Sequence, residues 1–406
     1  MSLAAPPLSL YVHLPWCVRK CPYCDFNSHA APARGIPEQA YLAALLEDLE
    51  LAARGCEGRP LVSIFFGGGT PSLFSATSIG RVVDRAARLL GAVGDLEVTL
   101  EANPGTVERG RFAGYRDAGV TRVSLGAQSF DDRRLRDLGR IHACDETLAA
   151  VDELRAAQLD NFNLDLMYAL PRQTLDEALA DLEQAIGLEP AHISHYHLTL
   201  EPGTVFERRP PPLPDQDVAY AMQDACQARL GAAGYRHYEV SAYARPGREC
   251  RHNLNYWRFG DYLGIGAGAH GKVTDGSSGA IVRSARVRQP ARYLAASDAA
   301  QRIEATRAVA PTDLAFEFCL NALRLADGFD VASFESGTGQ PWSSIAAAVQ
   351  KARSRGLLEP QPGGRWVPTA LGRSFLNDLQ AMFLPEGPAD AFTRGQRALA
   401  SPPALE

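Results

Sequence analysis

Tyr11-Val-His-Leu-Pro-Trp-Cys-Val-Arg-Lys-Cys-Pro-Tyr-Cys-Asp25 joins a β-rich run to three cysteines spaced C-x3-C-x2-C, at Cys17, Cys21 and Cys24. Thiolates are the usual protein ligands of iron–sulfur clusters. Three of them hold three irons of a four-iron cubane and leave the fourth iron to bind another group. Spacing alone leaves a zinc site open as well, which needs four protein ligands and would recruit His13, His29 or a further cysteine. A disulfide fits poorly, because the first seven residues, Met-Ser-Leu-Ala-Ala-Pro-Pro, show neither the charged nor the apolar region of a secretion signal.

Outward from this stretch the pattern repeats. Strand-like runs stand at residues 9–13, 61–66, 96–100, 121–125, 162–167 and 192–197. Amphipathic stretches at 38–54, 79–90, 108–118, 145–157 and 175–187 separate them. Strand then helix, repeated about six times, predicts a parallel sheet with crossover helices, whose chemistry gathers at the carboxyl ends of the strands. Cys17 to Cys24 follow the first run, Gly67-Gly-Gly-Thr-Pro71 the second and Glu101-Ala-Asn-Pro104 the third. Gln128 follows the fourth run, and Asp165 lies near the end of the fifth. The candidate polar groups therefore share one rim.

Composition sets limits on function. The chain has 406 residues, 46% of them hydrophobic, which is ample for a core and more than one domain. Its formal charge of −6 argues against general nucleic-acid affinity, which needs a basic surface to displace counterions. No stretch approaches a membrane span, since residues 40–53 are broken by Glu47, Asp48 and Glu50. A cytoplasmic protein with reduced thiols is expected. The other five of the eight cysteines, Cys56, Cys144, Cys226, Cys250 and Cys319, are scattered and read as small buried hydrophobes.

Past the connector Glu207-Arg-Arg-Pro-Pro-Pro-Leu-Pro214 come a helix at 217–232, a strand-like stretch at 235–243 and the glycine-rich Gly264-Ile-Gly-Ala-Gly-Ala-His-Gly271. From about residue 311 the order is helix (314–326), helix (342–355), a short strand pair near 364–373 and a last helix to 384, a winged-helix-like order. The predicted divisions are a core at 1–215, an α/β extension completing it at 216–300, a mainly helical domain at 301–384 and a mobile tail at 385–406.

The cysteine motif, followed by Gly67-Gly-Gly-Thr-Pro-Ser72 after the second run, resembles the radical S-adenosylmethionine (SAM) superfamily. That resemblance implies an α/β fold with a partial (β/α)6 barrel of the TIM type, a 4Fe-4S cluster, and SAM chelating the free iron through its amino and carboxylate groups. Further motifs narrow it: Phe65-Phe-Gly-Gly-Gly-Thr-Pro-Ser, Ser124-Leu-Gly-Ala-Gln-Ser-Phe, Gly139-Arg-Ile-His, Asn163-Leu-Asp-Leu-Met-Tyr-Ala-Leu-Pro and Leu200-Glu-Pro-Gly-Thr. Together they resemble the branch of the oxygen-independent coproporphyrinogen III oxidases. By position the branch implies a SAM pocket of Tyr11, Tyr23, Gly68, Gly69, Thr70, Glu101, Gln128, Arg140 and Asp165. The chemistry of these side chains agrees: Asp165 can accept from ribose hydroxyls, Glu101 can hold an ammonium, and Arg140 can pair with a carboxylate.

Two departures separate the chain from the oxidases. Phe26 stands where they carry a further cysteine, and only 16 residues precede Cys17. Cys24-Asp-Phe-Asn-Ser28 and His252-Asn-Leu-Asn-Tyr-Trp257 instead resemble the HemW-type heme chaperones. This resemblance implies a protein that binds heme and passes it to an acceptor protein, in some cases at a membrane. Under it the cluster's role is left open among redox, holding a homodimer and triggering release. His252 and His270 become the candidate heme ligands and Trp257 a flat apolar surface for the macrocycle. His13 is a third candidate, and His195 and His197, alternating on one strand, read as pocket lining. The alternative function is a radical SAM enzyme, either a decarboxylating coproporphyrinogen oxidase or one with a related reaction.

Overall fold

The computed structural model describes residues 3, 5–56, 58–105, 110–275 and 278–385. Six parallel strands, β1 (Leu8–Leu14), β2 (Leu61–Gly68), β3 (Ala92–Ala102), β4 (Arg122–Gln128), β5 (Phe162–Tyr168) and β6 (His192–His197), lie side by side in chain order. The connections carry helices α1 (Glu38–Ala52), α2 (Ala76–Leu90), α3 (Phe112–Asp117), α4 (Cys144–Ala156) and α5 (Leu175–Gly187).

Each strand alternates, and the alternation places the site. Leu10 and Val12 of β1, Ile64 and Phe66 of β2, Val98 and Leu100 of β3, and Val123 and Leu125 of β4 join the main core with Leu42, Leu45, Val82 and Val151 of the helices. Burying each such side chain stabilises the fold by about 1.5–3 kcal/mol. Successive residues point to opposite faces, so Ser9, Tyr11 and His13, then Ser63 and Phe65, Glu97 and Glu101, Arg122 and Ser124, and Asn163 and Asp165 fall on the concave face. That face is polar because it carries the site.

The chain then extends the sheet at both edges. After α6 (Gln216–Ala232), the short hairpin of β7 (Arg236–Glu239) and β8 (Ala242–Ala244) adds antiparallel to β6. Following α7 (Arg251–Trp257), β9 (Asp261–Ile265) returns to pair parallel with β1. Beyond it β10 (His270–Thr274), β11 (Ile281–Arg286) and β12 (Ile303–Ala308) run antiparallel. The result is one twelve-stranded sheet whose edges, β7 and β12, do not meet, so the barrel is partial. Because β12 is hydrogen-bonded to β11, residues 303–308 belong to this sheet.

The C-terminal domain has its own core, including Phe318, Phe334, Val349, Leu358 and Leu379. Helices α8 (Pro311–Ala322), α9 (Val331–Thr338) and α10 (Ser343–Ser354) precede strands β14 (Leu358–Gln361) and β15 (Arg365–Pro368); β15 lies between β14 and the short β13 (Phe329–Asp330) and pairs antiparallel with both. This is the winged-helix-like order. Helix α9 has too weak an apolar repeat to stand out in sequence, and its start is secured by Asp330, whose Oδ1 accepts from Ser333 N–H at 2.7 Å. The tail expected to be mobile lies, from residue 386, outside the described residues. Among the described residues no helix is long and apolar enough to cross a membrane.

Candidate cofactor site

A cavity of about 440 Å³ opens at the carboxyl ends of the parallel strands. Cys17, Cys21 and Cys24 line it, and so do Tyr23, Gly68, Gly69, Thr70, Glu101, Gln128, Arg140 and Asp165. Residues spread over some 150 positions of sequence thus meet at one concavity. Tyr11 does not line it. This tyrosine is buried beneath the cavity, stacked on Phe65, with its hydroxyl 3.0 Å from His13 Nδ1.

The cysteine loop leaves β1 through Pro15 and is held by a two-residue parallel bridge between Trp16–Cys17 and His29–Ala30. None of the three cysteines is in a disulfide. Burial pushes the Cys24 thiol up to about 11, against a weaker opposing contact with Ser28 Oγ at 3.6 Å. Burial likewise raises Cys17. Thiols held in a semi-buried cavity ionise readily only beside a strong positive charge, which a metal centre supplies. Among the described residues no three His, Cys, Asp or Glu side chains are close enough to hold a single metal ion, whereas three cysteines lining one cavity are the donor set of the larger iron–sulfur cluster.

The glycine loop approaches the cysteine loop as closely as backbone allows. Gly69 N–H donates to Leu14 O at 2.8 Å and Thr70 N–H to Trp16 O at 2.8 Å. A Cβ on Gly69 would lie 2.6 Å from Trp16 O, and Gly68, at φ +111°, has the His13 ring where a side chain would go. Glu101 Oε2 accepts from Gly68 N–H at 3.1 Å, tying the third strand to the loop of the second.

Asp165 is a half-buried carboxylate that accepts from Ser124 Oγ at 3.0 Å and from Asn163 Nδ2 at 2.6 Å. Burial raises its pKa, and those two hydrogen bonds oppose the shift. Gln128 sits at φ +67°, in the left-handed region, where the register of β4 against β5 slips. Such strained backbone in a non-glycine residue is a recurring feature of functional sites. Arg140 donates to Gly126 O at 2.8 Å, to Asn103 Oδ1, and to Cys21 Sγ at 3.7 Å. Asn103, Ser124 and Asn163 were not singled out from sequence. Each stood inside a quoted motif, but only the fold shows that they orient Arg140 and Asp165.

The expected heme residues lie elsewhere. His252 and Trp257 are on α7, which packs against β1, β2 and β9 near the strands' amino ends, opposite the cysteines. His252 is 1% exposed, with Nδ1 3.2 Å from Ser63 Oγ and its ring 4.9 Å from that of Phe65. Its backbone N–H and that of Arg251 point at Glu97 Oε1. Trp257 is buried under the guanidinium of Arg324, 4.3 Å above its ring. Neither side chain presents a face to a macrocycle here, because both close the base of the barrel. His270 lies on β10, opposite Ala285, and does not line the cavity. His13 is buried and engages Tyr11 and the Asn27 carbonyl, with burial lowering its pKa to about 4. His195 and His197 share a face as expected and their rings stack on Tyr168; His197 lines the cavity and His195 does not.

Comparison with known proteins places this geometry. Residues 11–185 match the radical SAM superfamily and residues 309–375 the HemN C-terminal domain. The chain is 47% identical over 385 residues to "Heme chaperone HemW" of Haemophilus influenzae, covering 94% of this chain and 99% of that one. It is also 47% identical over 381 residues to the Escherichia coli protein of the same name, with the same coverage. Among solved structures, coproporphyrinogen III oxidase (HemN) from Escherichia coli, a radical SAM enzyme, superposes with a TM-score of 0.78. The match covers 93% of this chain and 90% of that one at 22% identity, which is a likeness of fold. With near-complete coverage at 47% identity and the cysteine and glycine loops meeting at one cavity, the chain belongs to the HemW family of the radical SAM superfamily.

Proposed function

We propose that this protein is a cytoplasmic heme chaperone that binds heme and hands it to an acceptor protein, at a membrane in some cases. On this reading Cys17, Cys21 and Cys24 hold a 4Fe-4S cluster, and SAM binds exchangeably beside it. The supporting observation is the 47% identity, over 94% of the chain, to proteins named heme chaperone HemW. The cavity lined by all three cysteines supports the cofactor assignment.

Each pocket residue has a task its surroundings suit. Glu101, anchored by the Gly68 amide, faces the cofactor's ammonium, and Gly68 and Gly69 let the methionyl end approach backbone. Arg140 faces its carboxylate, Asp165 accepts from the ribose hydroxyls, and Gln128 offers both donor and acceptor. When bound, the cluster supplies one-electron chemistry and SAM a cleavable C–S bond. Phe26 lines the cavity where the oxidases place a cysteine, which weighs against the oxidase reading.

The test is to reconstitute the protein without oxygen, titrate heme, and separately assay coproporphyrinogen III decarboxylation with a reductant and SAM. Stoichiometric heme binding without turnover is expected. Turnover to protoporphyrinogen would make the protein an enzyme of the oxidase class instead.

A further inference from the structure

The three cysteines differ in what touches their sulfurs. Cys24 Sγ faces the neutral hydroxyl of Ser28, and Cys17 faces the hydroxyls of Thr70 and Ser28. Cys21 is the one of the three that, among the described hydrogen bonds, receives a guanidinium N–H, from Arg140 Nη1 to Sγ at 3.7 Å, while the same cation acts on Cys17 through its charge. That guanidinium is fixed. Its Nη2 donates to Gly126 O at 2.8 Å and to Asn103 Oδ1, and Asn103 Nδ2 donates to Thr70 Oγ1 at 2.8 Å. Thr70 N–H in turn donates to Trp16 O at 2.8 Å, so the chain of contacts closes on the residue before Cys17. The turn that carries Arg140 is also packed on the turn that carries Cys21. A Cβ on Gly139, which sits at φ +72°, would lie 2.7 Å from Pro22 Cδ.

We infer that Arg140 is a positioning residue that sets the reduction potential of the cluster through Cys21, separately from any contact with SAM. The inference rests on the reading that Cys17, Cys21 and Cys24 hold a 4Fe-4S cluster. Accepting one electron from a low-potential donor makes the cluster and its thiolates more negative by one charge. A cation held against one ligating sulfur, donating an N–H to it, stabilises that reduced state more than the oxidised one and raises the potential. Because Asn103 and Gly126 hold the guanidinium in place, the effect is built into the protein and does not wait for a ligand.

The test uses full-length wild type, Arg140→Gln, Arg140→Lys and Asn103→Ser, each reconstituted anaerobically and kept free of SAM. Iron and sulfide content is measured first. Midpoint potentials then follow from dithionite titration with mediators, read by electron paramagnetic resonance. Arg140→Gln is expected to shift the midpoint to more negative potential. Arg140→Lys, which keeps the charge but not the fork, and Asn103→Ser, which frees one anchor of the guanidinium, are expected to shift it less in the same direction. If Arg140→Gln takes up no cluster, the other two variants carry the test. A midpoint equal to wild type in every cluster-bearing variant overturns the inference. A wild type without iron and sulfide overturns the underlying cluster reading, and that result is distinguishable because it precedes any measurement of potential.

Discussion

Asp165→Asn separates the binding role of this carboxylate from its effect on the fold, because the two are expected to move in opposite directions. The native carboxyl is half-buried, and desolvation raises its pKa above the ordinary value against the opposing hydrogen bonds of Asn163, Ser124 and Ser194 and the charge of Arg122. A carboxyl raised in the folded state is favourable while protonated. That contribution is lost as pH rises through the unfolded and then the folded pKa, so at neutral pH the wild type bears the cost of a desolvated charge. Asparagine has the same shape and no charge. It can still accept from Asn163 Nδ2, and Ser124 Oγ, now 3.0 Å from Oδ2, can turn to accept from its amide. The SAM-free variant should therefore be at least as stable as wild type at pH 7.5, with a smaller advantage at pH 5. SAM affinity should fall, since a charge-assisted hydrogen bond to ribose becomes a neutral one. That loss is about 1–1.5 kcal/mol, or roughly five- to tenfold in Kd. Urea denaturation at the two pH values and equilibrium dialysis of SAM with the reconstituted protein measure both. A Kd within about threefold of wild type, or a variant less stable than wild type at pH 7.5, would refute the reasoning.

Two further outcomes are expected. Gly69→Ala places a methyl 2.6 Å from Trp16 O and 2.8 Å from Leu14 O, backbone atoms immediately ahead of Cys17. The strain should cost about 1–3 kcal/mol and lower iron and sulfide content per chain, and full loading would count against the tight coupling of the two loops. Acid sensitivity comes from buried neutral histidines: burial lowers His13 and His195 to about 4 and His142 and His252 to about 3. A histidine lowered in the folded state costs stability as pH falls below its unfolded value near 6.5, by up to about 1.4 kcal/mol per pH unit each. Asp181, raised to about 6, acts in the opposite sense below that pH. His252→Gln should flatten the decline in urea midpoint between pH 7 and 5, and an unchanged slope would show that His252 does not remain neutral by burial.

The parallel strands and the cofactor rim were legible because both rest on local signals. Alternating strand and helix patterns repeat from Leu8 to His197, and the cysteine loop, the glycine loop, Glu101 and Gln128 stand at strands' carboxyl ends. The antiparallel extension was harder to read. Strands β9 to β12 owe their pairing to residues far away, as when Leu8 meets Asp261, and a glycine-rich stretch at 264–271 masks their period.

The linear order of residues determined the cysteine spacing, the glycine loop and hence the kind of cofactor site. Ligand chemistry depends on residue type and short-range spacing, which a sequence displays directly. Only the tertiary structure decided where His252 and Trp257 go, since their positions depend on packing across the base of the barrel against Ser63, Phe65 and Arg324. It also decided the partners of Arg140. Asn103, Gly126 and Cys21 lie up to 119 positions from it, and only the curvature of the parallel sheet brings them within hydrogen-bond range of one guanidinium.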